Sequence, residues 1–390
     1  MEFDPENADV AQLVARNLAK VQVAGSNPVV RSSESVVLCV IKKKQVRSDG
    51  REARLRTANP ATRVQIPFRP PVLKARLMAR GDLPHNYSVN TLALDIGATK
   101  IAIALLDNSH VILERVQVSS LSPGPIWPRV KKVVAKFQEF EIARIGIGSA
   151  GPIDRENGTI SPVNIPEWRT FPIVQELKHF FPGINIGLLG DGTAVALAES
   201  RRGAGIGAKN MLGVVVSTGI GGGLVIDGKA FHGETGNAAL FGHHAIGFDS
   251  EIRCDCGRVG CLETFARGPK MVEYAQRLGW NDGTDFIALA ESARQKNPLA
   301  LEAIDKGALA LAVGITNVLN ITDIHTVVIG GGVSFAGPIY WEPFLRHFRE
   351  ESSHAGFLGE VTIFPAKLRE NSGLIGASLF AEDFAREVSR

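Results

Sequence analysis

The 390-residue chain has no apolar run approaching the ~20 residues of a membrane span, and its best candidate, Ile96 to Leu106, is broken by Lys100. Residues 1–30 lack the long apolar core of a secretory signal. Cysteine is scarce, with four in the chain, and three of these crowd into Cys254-Asp255-Cys256-Gly257-Arg258-Val259-Gly260-Cys261. Three neighbouring thiols leave an odd one over, which argues against a disulfide framework and places the chain in a reducing cytoplasm. The Gly-rich stretch Ser217-Thr218-Gly219-Ile220-Gly221-Gly222-Gly223 lacks the Gly-Lys-Ser/Thr ending of a Walker loop and is not a Rossmann fingerprint. A helix-turn-helix pattern is missing from the first 77 residues. Strong charge is missing too. The net charge of +3 hides an uneven split, because residues 1–77 hold 14 Lys/Arg against 7 Asp/Glu, leaving 29 against 33 in the rest. A mildly acidic body argues against a dedicated nucleic-acid surface.

What remains is a soluble composition, 45% apolar and 21% charged, in a chain long enough for two lobes. Before residue 78 the pattern differs from the rest. Lys42 to Arg51 is a charge run, and Pro60, Pro67, Pro70 and Pro71 interrupt any helical period. Such a segment buries too little apolar surface to offset chain entropy and reads as disordered. Residues 10–33 resemble a transfer-RNA gene read as protein, so the segment is expected to be a spurious extension with Met78 as the initiator. A genuine disordered tail and a degenerate DNA-binding domain are the alternatives.

The cysteine tract, with Gly242-His243-His244 upstream and Glu263 downstream, offers three thiolates and one imidazole, a closed tetrahedral set for structural zinc. Gly257 and Gly260 allow the tight turns this requires.

Three glycine-rich turns follow apolar strands. Leu92 to Ile96, Gly97-Ala98-Thr99 and Lys100 to Leu106 read as a hairpin whose Asp95-x-Gly97-x-Thr99 pattern presents N–H groups and a hydroxyl to phosphate, with Asp95 placed to bind hydrated Mg2+. Ser217 to Gly223 turns between Leu212 to Val216 and Leu224 to Ile226, and Val327 to Ile329 runs into Gly330-Gly331-Gly332, where an adenine can stack on bare backbone. Taken in this order, the turns outline a nucleotide cleft. Asp191 stands between the strand Ile184 to Leu189 and an Ala-rich helix, Thr193 to Arg201. It is either a helix N-cap or a general base for a hydroxyl attacking a γ-phosphate.

Together DIGATK, STGIGGG, the GH…CDCGRVGCLE tract and VVIGGG resemble the ROK family of repressors, open-reading-frame proteins and sugar kinases, over about residues 91–380. The resemblance implies the α/β, two-lobed actin-like ATPase (ribonuclease H-like/hexokinase) fold with a structural zinc loop. The N-terminal lobe is expected over residues 78–188, with a C-terminal helix at 372–390 returning to it. The C-terminal lobe is expected over 189–371, with the zinc loop at 243–261.

The implied function is that of an ATP-dependent sugar kinase acting on a hexose or N-acetylhexosamine, of glucose or N-acetylmannosamine/N-acetylglucosamine type. The implied cofactors are ATP, Mg2+ and Zn2+, and a homodimer or higher oligomer is implied. Asp191 becomes the general base. Asp95, Gly97, Thr99, Lys100, Thr218, Gly219, Gly221, Gly222, Gly331 and Gly332 match the nucleotide loops. Gly151, Asn164, His243 and Glu263 join Asp191 at the sugar, and His243, Cys254, Cys256 and Cys261 match the zinc ligands.

Two positions depart from the pattern: Gly190 stands where the family often has Asn, and Leu240 replaces a sugar-binding Glu. The spacing also leaves His244 as an alternative zinc ligand. These departures, with the long N-terminal segment, leave a non-catalytic sugar-sensing regulator as the alternative function.

Overall fold

The computed structural model describes residues 90–247, 252–354, 356 and 358–389. The expected extension and the Met78 start lie outside these residues. Two five-stranded sheets form the frame. The first contains Asn90–Ile96 (β1), Lys100–Leu106 (β2), Ile112–Ser119 (β3), Ile142–Ser149 (β4) and, after a two-stranded ribbon of Ile153–Asp154 (β5) and Thr159–Ile160 (β6), Asn185–Gly190 (β7). Its order is β3-β2-β1-β4-β7. The second contains Met211–Val216 (β8), Ile220–Ile226 (β9), Lys229–Phe231 (β10), Thr326–Gly330 (β11) and Thr362–Pro365 (β12), in the order β10-β9-β8-β11-β12. Each sheet is an antiparallel meander of three strands continued by two parallel ones. The two halves therefore repeat one topology, the two-lobed α/β arrangement read from the sequence.

The parallel strands β1, β4, β8 and β11 are almost wholly buried, which is why they read as continuous apolar runs. Registers pair Ile96 with Ser149, and Ser149 with Gly190, so the carboxyl ends of β1, β4 and β7 finish level. The ends of β8 and β11 align likewise through Val215 and Gly330. Loops at the carboxyl ends of such strands are where α/β sheets bind ligands.

The helices are Ile126–Lys136 (α1), Ile173–Phe180 (α2), Asp191–Arg202 (α3), Glu263–Ala266 (α4), Gly268–Arg277 (α5), Phe286–Arg294 (α6), Pro298–Thr322 (α7), Pro338–His354 (α8) and Ser372–Val388 (α9). Helix α7 starts where the Asn297 side chain accepts from the amides of Leu299 and Ala300 and stops at Asp323 in the left-handed region. Helix α9 packs on β1, β4 and β7 of the first sheet, while α3 packs on α9 and on β8 and β9 of the second. Strand β7 belongs to the first sheet up to Gly190, two residues beyond the expected boundary at 188.

Helix α3 is held at its far end by Glu199, which is fully buried. Its carboxylate accepts from the amides of Ala204 (2.9 Å), Lys367 (3.1 Å) and Leu368 (2.7 Å). Nearby, Arg201 forms a two-pronged pair with Asp383 of α9 at 3.1 and 2.6 Å. These contacts fix the axis of the helix that carries Asp191.

Candidate active site

Asp191 is the first residue of α3, and Gly190 takes the cap position. The carboxylate accepts from the next amide, Gly192, at 2.7 Å and makes no capping bond to the turn that follows. The site therefore leaves Asp191 largely free to face the cleft. Its placement depends on bare backbone. A Cβ on Gly192 would lie 2.3 Å from the Gly222 carbonyl oxygen, and one on Gly223 would lie 2.5 Å from the Thr193 Cα. Gly222 is buried against Gly192 and Phe241. Two glycines of the Ser217–Gly223 run thus let α3 sit directly on β9, a packing role that local spacing does not reveal.

At the same edge of the first sheet, Asp95 is the penultimate residue of β1. Burial raises its carboxyl to about 7, the charge of Asp191 acts in the same sense, and Lys100 and Arg115 oppose it. Burial also raises Asp191, against the bond from the Gly192 amide. A Cβ on Gly373, in the first turn of α9, would meet the Asp95 carboxylate at 2.4 Å. The acid is thus seated against a helix start, where the dipole favours its anion.

A prediction about pH follows. Between about pH 4 and 7 folded Asp95 keeps a proton that the unfolded chain has released, so the stability of protein stripped of magnesium and nucleotide falls as pH rises through that window. Asp95→Asn should flatten the slope and stabilise the stripped protein at pH 8 by up to about 4 kcal/mol. Urea unfolding at pH 5, 6 and 8 measures both effects.

The turns meet as neighbours. The Gly97 amide donates to the Lys100 carbonyl at 3.0 Å, closing the hairpin and leaving Thr99 and Lys100 exposed. In the second sheet Thr218 is exposed, the Val333 amide donates to the Val216 carbonyl at 3.0 Å, and Gly331 has φ 92°. A Cβ on Gly331 would lie 2.3 Å from the Val216 oxygen, so only glycine lets these two turns lie together.

A cavity of about 760 Å³ opens beside Asp191. Gly151, Asn164, His243 and Glu263 line it with Asp191, as do Gly221 and Gly222, and Leu240 and Gly190 stand in its wall. Ala98 of the first turn and Ile220 of the second also line it, while Asp95, Gly97, Thr99, Lys100, Thr218, Gly219, Gly331 and Gly332 do not. Asn237 was not singled out from sequence. Its amide oxygen accepts from the Ile153 amide (2.8 Å) and its nitrogen donates to the Ile153 carbonyl (2.7 Å), tying the loop before Leu240 to the first half. A loop asparagine has no local signal for this role. Arg267 was also missed.

His243, Cys254, Cys256 and Cys261 bring one ligand atom each within 4.8 Å of one another. Cys256 Sγ lies 3.7 Å from Cys261 Sγ, and Cys254 Sγ lies 3.6 Å from His243 Nδ1. These match the edges of about 3.8 Å in a tetrahedron of thiolates around zinc. Burial raises the thiols of Cys254 and Cys261, so a cation is needed to hold all three sulfurs as thiolates. His244 turns away, with Nδ1 2.6 Å from the Phe241 carbonyl and Nε2 buried without a partner. The donor set fits zinc with His243. Glu263 Oε1 sits 3.2 Å from Cys254 Sγ and 3.5 Å from His243 Nδ1, while a Cβ on Gly219 would be 3.6 Å from its Oε2. One carboxylate therefore joins the cysteine loop, the cavity and the second turn.

The ROK family model matches residues 91–384. The chain belongs to the ROK family. An N-acetylmannosamine kinase of Salmonella typhi is 33% identical over 302 residues, covering 75% of this chain and 99% of the relative. A ROK hexokinase structure from Thermus thermophilus superposes with TM-score 0.68 at 31% identity, covering 76% of this chain and 99% of that one. A ROK glucokinase from Streptomyces griseus, solved with glucose and AMPPNP, gives TM-score 0.65 at 29% identity, covering 75% and 99%. The chain thus spans nearly the whole length of these ROK structures. No helix among the described residues is long and apolar enough to cross a membrane.

Proposed function

We propose that this ROK protein, an ATP-dependent sugar kinase, transfers the γ-phosphoryl group of ATP to a hydroxyl of a hexose or N-acetylhexosamine, with Asp191 as general base. The observation that carries the reading is the position of Asp191. It lies free of capping duty at the wall of a sugar-sized cavity, beside the glycine turn of the second sheet. Burial raises its carboxyl above the usual carboxylate range, the direction that favours taking up a proton. His243, Cys254, Cys256 and Cys261 would hold zinc, which supplies no electrons and fixes the loop that presents Glu263 to the sugar. Asp95 would carry hydrated Mg2+, which neutralises phosphate charge when bound. A non-catalytic sensor would not need a base so placed.

ADP release across a panel of hexoses and N-acetylhexosamines tests the reading. Sugar-dependent release supports it, and its absence on every sugar, with binding still visible by thermal shift, would sink it. The cavity wall also carries a prediction. Leu240 is 46% exposed there and lies over Gly151. Leu240→Glu adds a charged acceptor for sugar hydroxyls and should lower the KM for the preferred sugar about tenfold. Steady-state kinetics on the best sugar of the panel gives the answer.

A further inference from the structure

Three guanidinium groups line the cavity, those of Arg169, Arg258 and Arg267. Their hydrogen-bonding differs. Arg169 is exposed and gives Nη1 to the Ser161 carbonyl (3.0 Å) and Nη2 to that of Val163 (3.4 Å). Arg258 is exposed and gives Nη1 to the His243 carbonyl at 3.1 Å. Arg267 is different. Its side chain is only 21% exposed, and among the described residues its Nε is buried with no partner and its single ion pair is a long 3.5 Å approach to Asp255, itself 64% exposed. The Nη groups are engaged only by that long approach, which leaves donors for a ligand in the cavity.

Its place in the fold says what that ligand is. Arg267 is the cap residue of α5, and the next amide, Gly268, donates to the Ser217 carbonyl at 3.0 Å. The backbone is thereby tied to the second glycine turn, while the side chain lines the cavity that holds Asp191. It thus shares one cavity with the base expected to activate the acceptor, on backbone joined to the turn expected to hold phosphates.

We propose that Arg267 binds the γ-phosphoryl group of the nucleotide as it passes to the sugar. The inference rests on the kinase reading. The acceptor oxygen forms its bond to the γ-phosphorus, the bond from that phosphorus to the β,γ-bridging oxygen breaks, ADP leaves with the electron pair, and the hydroxyl proton goes to Asp191. Charge on the equatorial oxygens peaks midway, where the two Nη groups of one planar guanidinium can meet two of them. Lysine offers a point charge and no fork.

The test compares wild type, Arg267→Lys and Arg267→Met. The expected result is a fall in kcat of about a thousandfold for Arg267→Met, with a smaller fall for Arg267→Lys and an unchanged KM for the sugar. Guanidinium added to Arg267→Met should restore part of the rate. Calorimetry should show wild type preferring MgATP over MgADP, and Arg267→Met losing that preference. A variant within threefold of wild type, or a slow one that ignores guanidinium and keeps its ATP preference, would overturn the proposal. Retained zinc and melting temperature separate a folding defect from either outcome, and Arg267→Lys keeps the test open if Arg267→Met does not fold. Should wild type itself turn over no sugar, the kinase reading fails alone, and the ATP-over-ADP preference still decides the role of Arg267.

Discussion

Asp191→Asn should leave the fold and both substrates' binding in place and lower kcat by about a thousandfold. The substitution keeps the side chain's shape and its contact with the Gly192 amide, which can donate to an amide oxygen as it does to the carboxylate. The packing of α3 on β9 through Gly192, Gly222 and Gly223 does not involve the side chain. Stability should be unchanged or slightly higher, since burial opposes the charge that asparagine lacks. Rapid-quench kinetics, with sugar binding by calorimetry, separates chemistry from affinity. A loss of sugar binding equal to the loss of kcat would make Asp191 a sugar ligand and not a base.

Removing zinc should have the second large effect. Among the described residues, two isolated bridges, Ala245 with Cys261 and Arg253 with Val259, a few backbone bonds and the side-chain bonds of Arg253, Arg258 and Glu263 order the loop from His243 to Cys261. Structural zinc contributes folding energy directly, on the order of 10 kcal/mol in isolated fingers at neutral pH. Cys261→Ser, at a position with 0% exposure, should reduce bound zinc below half an equivalent and lower the melting temperature by about 10 °C. The KM for the sugar should rise with it, because Glu263 packs on Cys254 and His243. Zinc measured by atomic emission alongside calorimetric melting checks this. A fully stable wild-type protein with almost no metal would refute the zinc assignment.

Much of this was legible because it is local. The hairpin of β1 and β2 announces itself by two apolar runs around Gly97-Ala98-Thr99, and the observed ends differ from the expected ones by no more than two residues. The helix read from Thr193 begins at Asp191, because Gly190 serves as cap and the helical turn can include the acid. The cysteine cluster was visible from spacing, but the choice between His243 and His244 was not, since adjacent residues point to opposite sides and only the fold says which side holds the sulfurs. Glycine in the Ser217–Gly223 run was equally ambiguous. Room for phosphate and room for a helix leave the same letter in the sequence, and Gly222 is bare because α3 and Phe241 press on it. Arg267, Asn237 and Glu199 were invisible because their partners are distant in the chain or are not protein at all.

The matching order of the two sheets sets one plan against two contents. Near the end of its leading strand the first half carries an acid, Asp95, where the register of the second gives Val215. The crossover between meander and next strand carries the short α1 in the first half, and in the second it takes in the cysteine loop and α4 to α7. A repeated frame therefore carries unlike chemistry at its two corresponding edges, and a substitution at one has no mirror-image effect at the other.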